Sequence, residues 1–495
     1  MFLGLDLGTS GLKGVVINDA GNVVAQASSS LTVSSPKATW SEQAPEDWWQ
    51  ALLDVCNQLA ERLDLTKIEA LGFSGQMHGA TLLNNAGEVL RPCILWNDGR
   101  SKAQCDAVMK AHPELLTLSG NLAMPGFTAP KILWIEENEP EIYAQLDKVL
   151  LPKDYLVYRM TGVFSSDCSD AAGTLWLNPE TRQWDEQLLK ICGLTVDNMP
   201  RVFEGQQVVG QVSADIAELL GLQCIPVVAG AGDNAAGAVG MGVTEPGQGF
   251  VSLGTSGVYF SVSESHNANP ENTVHAFCHA LPNRWHQMGV TLSAANSLSW
   301  FAKLLDRTVP ELLDELEDSE IQRTRVVFLP YLNGERTPIN DPLANGQFLG
   351  MVNSTQRAEL TLAVLEGIAF SLLDCQNALA SAGSDVSELS LIGGGARSAL
   401  WRQLIADVLG KTISYRDGGD VGPGLGAARL ALMGKKESEG QNIDALIKEH
   451  CQLPEVLATH QPNPDNAEYF SAKYALYRKA YEQTAVLNDA FGQLV

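Results

Sequence analysis

Basic side chains are scarce in this sequence. Across 495 residues there are 33 Lys and Arg against 58 Asp and Glu, a formal net charge of −25. Phosphate backbones are neutralised by Lys and Arg, so nucleic acid is excluded as a main partner. An anionic ligand would need a local pocket of amides or cations. Long apolar runs are missing too. The longest, residues 225–243, is broken by Asp233 and Asn234 and is mostly Gly and Ala, a poor membrane span. No basic segment leads into an apolar run near Met1, and Asp6 falls where a secretion-signal core would lie, so a cytoplasmic protein with no membrane partner is expected. The nine cysteines are dispersed and form no C-x-x-C pair. They read as reduced buried thiols, not as a disulfide framework or a zinc site. Familiar nucleotide motifs are absent as well: no G-x-x-x-x-G-K-[ST] loop, no G-x-G-x-x-G opening a helix with an acid about 20 residues later, no H-R-D with D-F-G. Any nucleotide must sit in a different cradle.

What is present is a repeat. Leu-Gly-Thr-Ser-Gly occupies residues 7–11 and recurs word for word at 253–257, about half a chain later. Each copy lies between two apolar runs: 2–5 and 12–17 in the first half, 250–253 and 258–262 in the second. With a third strand at Val23–Ser30, the chain opens as an antiparallel meander. Pro45 is preset for a first helical turn, and Trp48, Leu52, Val55 and Leu59 follow at helical spacing. A strand over 69–74 ends in Gly75-Gln76-Met77-His78-Gly79. Thr81–Leu83 and 89–95 read as a hairpin that delivers Trp96-Asn97-Asp98-Gly99-Arg100. A short strand at 225–229 leads to Gly230-Ala231-Gly232-Asp233-Asn234 and a small-residue helix, 235–241. The turn-like 244–249 marks a boundary between domains 1–244 and 245–495. Later come a strand at 389–392, Gly393-Gly394-Gly395, a helix over 398–409 with Ser398 as its N-cap, a strand at 412–415, and helices at 424–433 and 467–487. The expected class is α/β, a duplicated domain with mixed sheets and a cleft between the copies.

The duplicated loops invite phosphate. Glycines bring backbone N–H groups close to an anion, and Thr9, Ser10 and Thr255 add hydroxyls. One loop alone reads equally as a hairpin turn; an identical word at half-chain spacing favours two loops gripping one polyphosphate. Asp6 beside such a loop would be repelled by phosphate and suits Mg²⁺ instead, or else it merely stabilises the turn. Asp233, at a strand end with glycine before it, can take a hydroxyl proton in phosphoryl transfer, or can cap the following helix. Asp98 and Arg100 offer donors and acceptors for a sugar next to Trp96, or form a surface ion pair of little energy.

Taken together, Asp6-x-Gly8-Thr9-Ser10, residues 75–79, 96–100, 232–234, 254–257 and 393–395 resemble the FGGY carbohydrate kinases. Residues 126–138, 346–350, 359–360 and 363–366 match that family's signature patterns, and the likeness runs in order from residue 2 to about 430. The resemblance implies two actin-like (ribonuclease H-like) domains around an ATP cleft. It assigns Asp233 as base and Asp6 to the metal, Mg²⁺. Thr9, Ser10, Lys13, Gly254 and Thr255 fall at the phosphates, and Gly394, Gly395 and Ser398 at adenosine. Met77, His78, Asp233 and Asn234 fall at the sugar. Some relatives carry Arg where this chain has Lys13, a point charge instead of a fork. Residues 76–83, 151–156 and 169–174 are most like members that phosphorylate D-xylulose. Glycerol kinases carry Arg-Glu in place of Met77-His78, so glycerol is disfavoured. Another sugar or polyol such as ribulose is the alternative acceptor, and a nucleotide switch without catalysis is the alternative class. The oligomeric state stays open, a homodimer included.

Overall fold

The computed structural model describes residues 1–417 and 422–492. The first half builds one seven-stranded mixed sheet. Phe2–Leu7 pairs antiparallel with Gly11–Ile17, which pairs antiparallel with Val23–Ser30. On its other side Phe2–Leu7 runs parallel to Ala70–Gly75, and Pro226–Val228 adds parallel beyond that. Val208–Gln211 closes the edge, and Ala231–Gly232 pairs with the end of Ala70–Gly75. Phe2, Leu3, Leu5 and Leu7 are all buried; a continuous apolar run suits a strand covered on both faces. One face is covered by helix Pro45–Ala60, which buries Trp48, Leu52, Val55 and Leu59.

The second half repeats this plan. Its seven-stranded sheet runs His275–Cys278, Trp285–Thr291, Gly257–Ser263, Gly249–Leu253, Glu388–Ile392, Thr412–Arg416, Val456–His460. Counting out from the strand before each Gly-Thr-Ser-Gly loop, pairing directions match those of the first sheet: two antiparallel neighbours on one side, two parallel on the other. The copies differ chemically. Ser252 stands where Asp6 stands in the first strand, and Tyr259 where Lys13 stands in the second. The acid and the cation therefore belong to one loop only.

Two helices join the halves. Asp233–Met241 leaves the first sheet, and Gly422–Ser438 leaves the second. The latter lies on the first sheet, where Leu425, Ala428 and Leu432 share a core with Phe2, Val15 and Val228. The approach is close enough that only glycine fits. A Cβ on Gly426 would stand 1.8 Å from the Ala236 carbonyl oxygen, and one on Gly4 would stand 2.1 Å from that of Gly424.

Two local expectations are corrected. The helix expected from 235 begins at Asp233, with Gly232 at the N-cap position; an acid in the first turn suits the positive helix end. Residues 81–95 do not form a regular hairpin. Thr81–Leu83 takes its ladder partner from Lys148–Leu150 and Cys93–Ile94 from Glu42–Gln43, while the local pairing persists as two antiparallel bridges, Leu83 to Val89 and Ala80 to Ile94, around the turn at 84–88. The local turn forms, and remote strands take the regular ladders on either side of it. All nine cysteines are free, eight of them buried. Among the described residues no helix is long and apolar enough to cross a membrane.

Candidate active site

Asp6 comes one residue before the end of its strand, with Lys13 and Ser74 as its cross-strand neighbours. Ser74 Oγ donates to Asp6 Oδ1 at 2.8 Å. Burial pushes the carboxyl pKa up, while the Ser74 bond and the Lys13 charge pull it back. The loop after it is braced from beneath. Gly8 N donates to the Gly11 carbonyl at 2.9 Å. Gln43 Nε2 donates to the Thr9 carbonyl at 2.7 Å. The Thr9 hydroxyl is engaged, donating to Gln76 Oε1 at 3.0 Å and accepting from Trp96 Nε1 at 2.9 Å. Thr9 thus presents its backbone to the cleft, and Ser10 is the exposed hydroxyl of the loop.

Asp233 is held by its neighbour. Asn234 donates to Asp233 Oδ1 twice, from its backbone N at 2.8 Å and from Nδ2 at 3.0 Å. Among the described residues no other side chain hydrogen-bonds the second oxygen, Oδ2. Burial and then the negative charge of Asp6 raise the Asp233 pKa to about 7. A carboxylate so tuned is a better base than an ordinary aspartate. Asp6, Asp233 and Ser74 offer only oxygen donors. Mg²⁺ suits such a set, since it commonly binds through one or two carboxylates plus phosphate oxygens. Among the described residues no three His, Cys, Asp or Glu side chains converge as a metal cage.

Met77 and His78 close the other end. Met77 packs on Gly232, whose added Cβ would meet the Met77 side chain at 3.0 Å. His78 has a left-handed backbone, φ 69°. Its Nδ1 lies 2.7 Å from the Gly173 carbonyl. A carbonyl only accepts, so Nδ1 carries the proton and Nε2 is left as an acceptor. The residue is half-buried. Burial first, then the Lys131 charge, lower its pKa to about 3, so the imidazole is neutral and can accept from a hydroxyl.

The second loop and the glycine run flank the same strand end. Gly254 N donates to the Ser256 carbonyl at 3.1 Å, and the carbonyls of Gly254 and Thr255 accept from Ala295 and Ala294. Thr255 is exposed. Above Gly394 a Cβ would meet nothing within 4 Å, so its backbone faces open space, room for a flat ring against bare peptide. Gly395 packs on Trp401 and Leu253. Ser398 caps the next helix, its hydroxyl accepting from Trp401 N at 3.2 Å.

Asp98 and Arg100 depart from both readings of the sequence. They form a buried two-pronged pair, Nη2 to Oδ2 at 2.7 Å and Nε to Oδ1 at 2.9 Å. Arg100 also meets Glu42 at 2.8 Å and stacks 3.7 Å from the Trp40 ring. The pair locks a loop from within, and Trp96 reaches from that stretch to the loop at 8–11, through Thr9. Other contributors carried no isolated signal. Lys131 Nζ and Thr128 Oγ1 both donate to the His78 carbonyl, at 2.7 Å and 3.1 Å, bracing the strained backbone. Behind Asp233, Ser169 Oγ accepts from Gly232 N at 3.1 Å. Ser169 leans on Asp167, which with Asp154 and Asp170 surrounds the buried Lys153. Burial of three acids around one ammonium pushes the Asp170 pKa well up. Residues 126–138, 151–156 and 169–174 belonged to the family-like words, but nothing in those words pointed to these contacts.

With this geometry in hand, the comparisons are decisive. The N-terminal domain of the FGGY family of carbohydrate kinases matches residues 1–240, and the C-terminal domain matches residues 249–434. The chain belongs to the FGGY family. As a member it is a carbohydrate kinase, and ATP use follows from the family. It is 48% identical over 484 residues to a protein of Escherichia coli (strain K12) named xylulose kinase, covering 98% of this chain and 99% of that one. Among solved structures it resembles a xyloylose kinase from Brucella ovis, with TM-score 0.93, 44% identity, and coverage of 98% and 99%. A gluconate kinase from Lactobacillus acidophilus superposes with TM-score 0.91 at 25% identity, covering 100% of this chain and 99% of that one. The FGGY fold is therefore common to kinases with different acceptors, and the acceptor must be read from the site.

Proposed function

We propose that the chain transfers the γ-phosphoryl group of MgATP to O5 of D-xylulose, giving D-xylulose 5-phosphate and ADP. The observation that carries the chemistry is Asp233: one oxygen fixed by Asn234, the other free, the pKa raised to about 7. Asp233 Oδ2 takes the hydroxyl proton as O5 attacks phosphorus. The O5–P bond forms, the bond from phosphorus to the β,γ-bridging oxygen breaks, and ADP leaves with that electron pair. Loops 8–11 and 254–257 cradle the phosphates through backbone N–H groups, with Lys13 adding charge. Asp6 and Ser74 would hold Mg²⁺, which when bound neutralises charge on the transferred group. Met77 and neutral His78 orient the sugar, and Gly394, Gly395 and Ser398 border adenosine. Positioning and exclusion of water supply most of the acceleration. Domains 1–244 and 245–495 close about residues 244–249.

D-xylulose is supported by the near full-length likeness to proteins named for that sugar. The test is coupled ADP release with D-xylulose, D-ribulose, xylitol, D-gluconate and glycerol. D-xylulose should give the highest kcat/KM. A higher value for any other acceptor would displace it.

A further inference from the structure

Arg336 is a half-buried cation without an acid partner among the described residues. Arg91, Arg100, Arg182, Arg402 and Arg429 all reach carboxylates or backbone carbonyls. Arg336 has one polar side-chain contact, its Nη1 lying 3.5 Å from His275 Nε2, and forms no ion pair among the described residues. The neighbouring acid is occupied elsewhere. Glu335 accepts from Thr291 Oγ1 at 2.5 Å, Leu292 N at 2.9 Å and the Arg336 backbone N at 2.8 Å. The main chain is pinned as well. Thr273 Oγ1 donates to the Arg336 carbonyl at 2.8 Å, and Thr337 exchanges bonds with Val290. A half-buried guanidinium with no counter-charge among the described residues keeps donors free for a ligand in the site.

Its place in the cleft indicates the ligand. His275 stacks on Phe277 at 5.7 Å and meets Phe127 edge-on at 5.6 Å. Both phenyl rings touch His78, at 4.7 Å for Phe127 and 6.2 Å for Phe277. Arg336 thus reaches from the second half of the chain to the His78 end of the site. Its charge is felt at His78 and His275, whereas the charge felt at Asp233 is that of Asp6. The phosphate loops lie with Asp6, so the transferred group is at the opposite end.

We propose that Arg336 is a specificity residue for the acceptor sugar. Its planar fork donates to the oxygens at the end remote from the reacting hydroxyl, the carbonyl of a ketose and the hydroxyl beside it. The inference rests on the D-xylulose reading above, with C1 and C2 as the end recognised. The sugar is then held from both halves, by His78 and Asp233 on one side and Arg336 on the other.

The experiment compares wild type with Arg336→Met and Arg336→Lys, with melting temperatures taken for both variants. In R336M the KM for D-xylulose should rise at least about tenfold, the scale of one charged hydrogen bond, while the KM for MgATP moves less than about twofold. Preference for D-xylulose over xylitol, the same chain with its carbonyl reduced, should shrink at least about fivefold by the ratio of xylitol Ki to D-xylulose KM. R336K keeps the charge without the fork and should fall between; it carries the test if R336M does not fold. An unchanged D-xylulose KM, an equal rise in both KM values, or a fall in kcat alone overturns the assignment. A wild-type enzyme that does not turn over D-xylulose would instead sink the underlying reading, before any variant is made.

Discussion

The raised pKa of Asp233 sets its proposed catalytic role against stability. Asp233→Asn should lower kcat for sugar phosphorylation by at least about 10²–10⁴, the range of one positioned base, while MgADP still binds by calorimetry. In wild type, kcat/KM for the sugar should fall below pH 7, about tenfold per unit, as the base protonates. The same shift has a sign for folding. The folded pKa of about 7 lies above the model-peptide value of 3.8, so the stability linked to this proton is complete below about pH 4 and is lost as pH rises through 7. Denaturant midpoints should therefore show D233N more stable than wild type at pH 8, by on the order of 2–4 kcal/mol, and equal to it near pH 4. Lys131 acts through His78. Lys131→Met removes the donor that holds the His78 carbonyl and should raise the sugar KM about tenfold with little change in the KM for MgATP; parallel changes in both would reject this positioning role. Asp233 and His78 stood out in the sequence as candidates because short glycine-flanked words set them apart. Lys131 and Arg336 were not, because their roles arise from contacts with residues 53 and 61 positions away.

Among the elements, the paired strand–loop–strand units were legible since identical words and apolar runs are local. The irregular hairpin over 81–95 shows the limit: a turn signal reports the local bridges but not that Thr81–Leu83 also pairs with Lys148–Leu150. The crossing helices were legible as helices but not as partners. Two glycine substitutions separate packing from binding at this scale. Gly426→Ala drives a methyl to 1.8 Å from the Ala236 carbonyl oxygen and should destabilise by about 3 kcal/mol or more, read as a lowered denaturant midpoint. Gly394→Ala adds a methyl into open space. It should leave the midpoint within about 0.5 kcal/mol and raise the KM for ATP. A stable Gly426→Ala protein would mean that the helices can part without cost.

For the whole molecule, duplication in the sequence anticipated two like sheets, and the matching strand orders agree with it. Nothing local announced that helix Gly422–Ser438 would serve the first sheet. The proposed closure point at 244–249 thus divides the chain without dividing the core. Segments 1–244 and 245–495 should each be insoluble or aggregated when expressed alone and should form one soluble complex when co-expressed; an independently folded, monomeric 1–244 would contradict this.

The crossing helix also sets a clock. By residue 228 the ribosome has released every strand of the first sheet's main path, yet the helix that covers Phe2, Val15 and Val228 ends at Ser438. Roughly 200 residues must still be made, which at cellular elongation rates takes on the order of 10–40 s. Throughout that interval an apolar sheet face awaits its cover, so the nascent first half should bind holding chaperones and should gain protease resistance only when the chain is nearly complete.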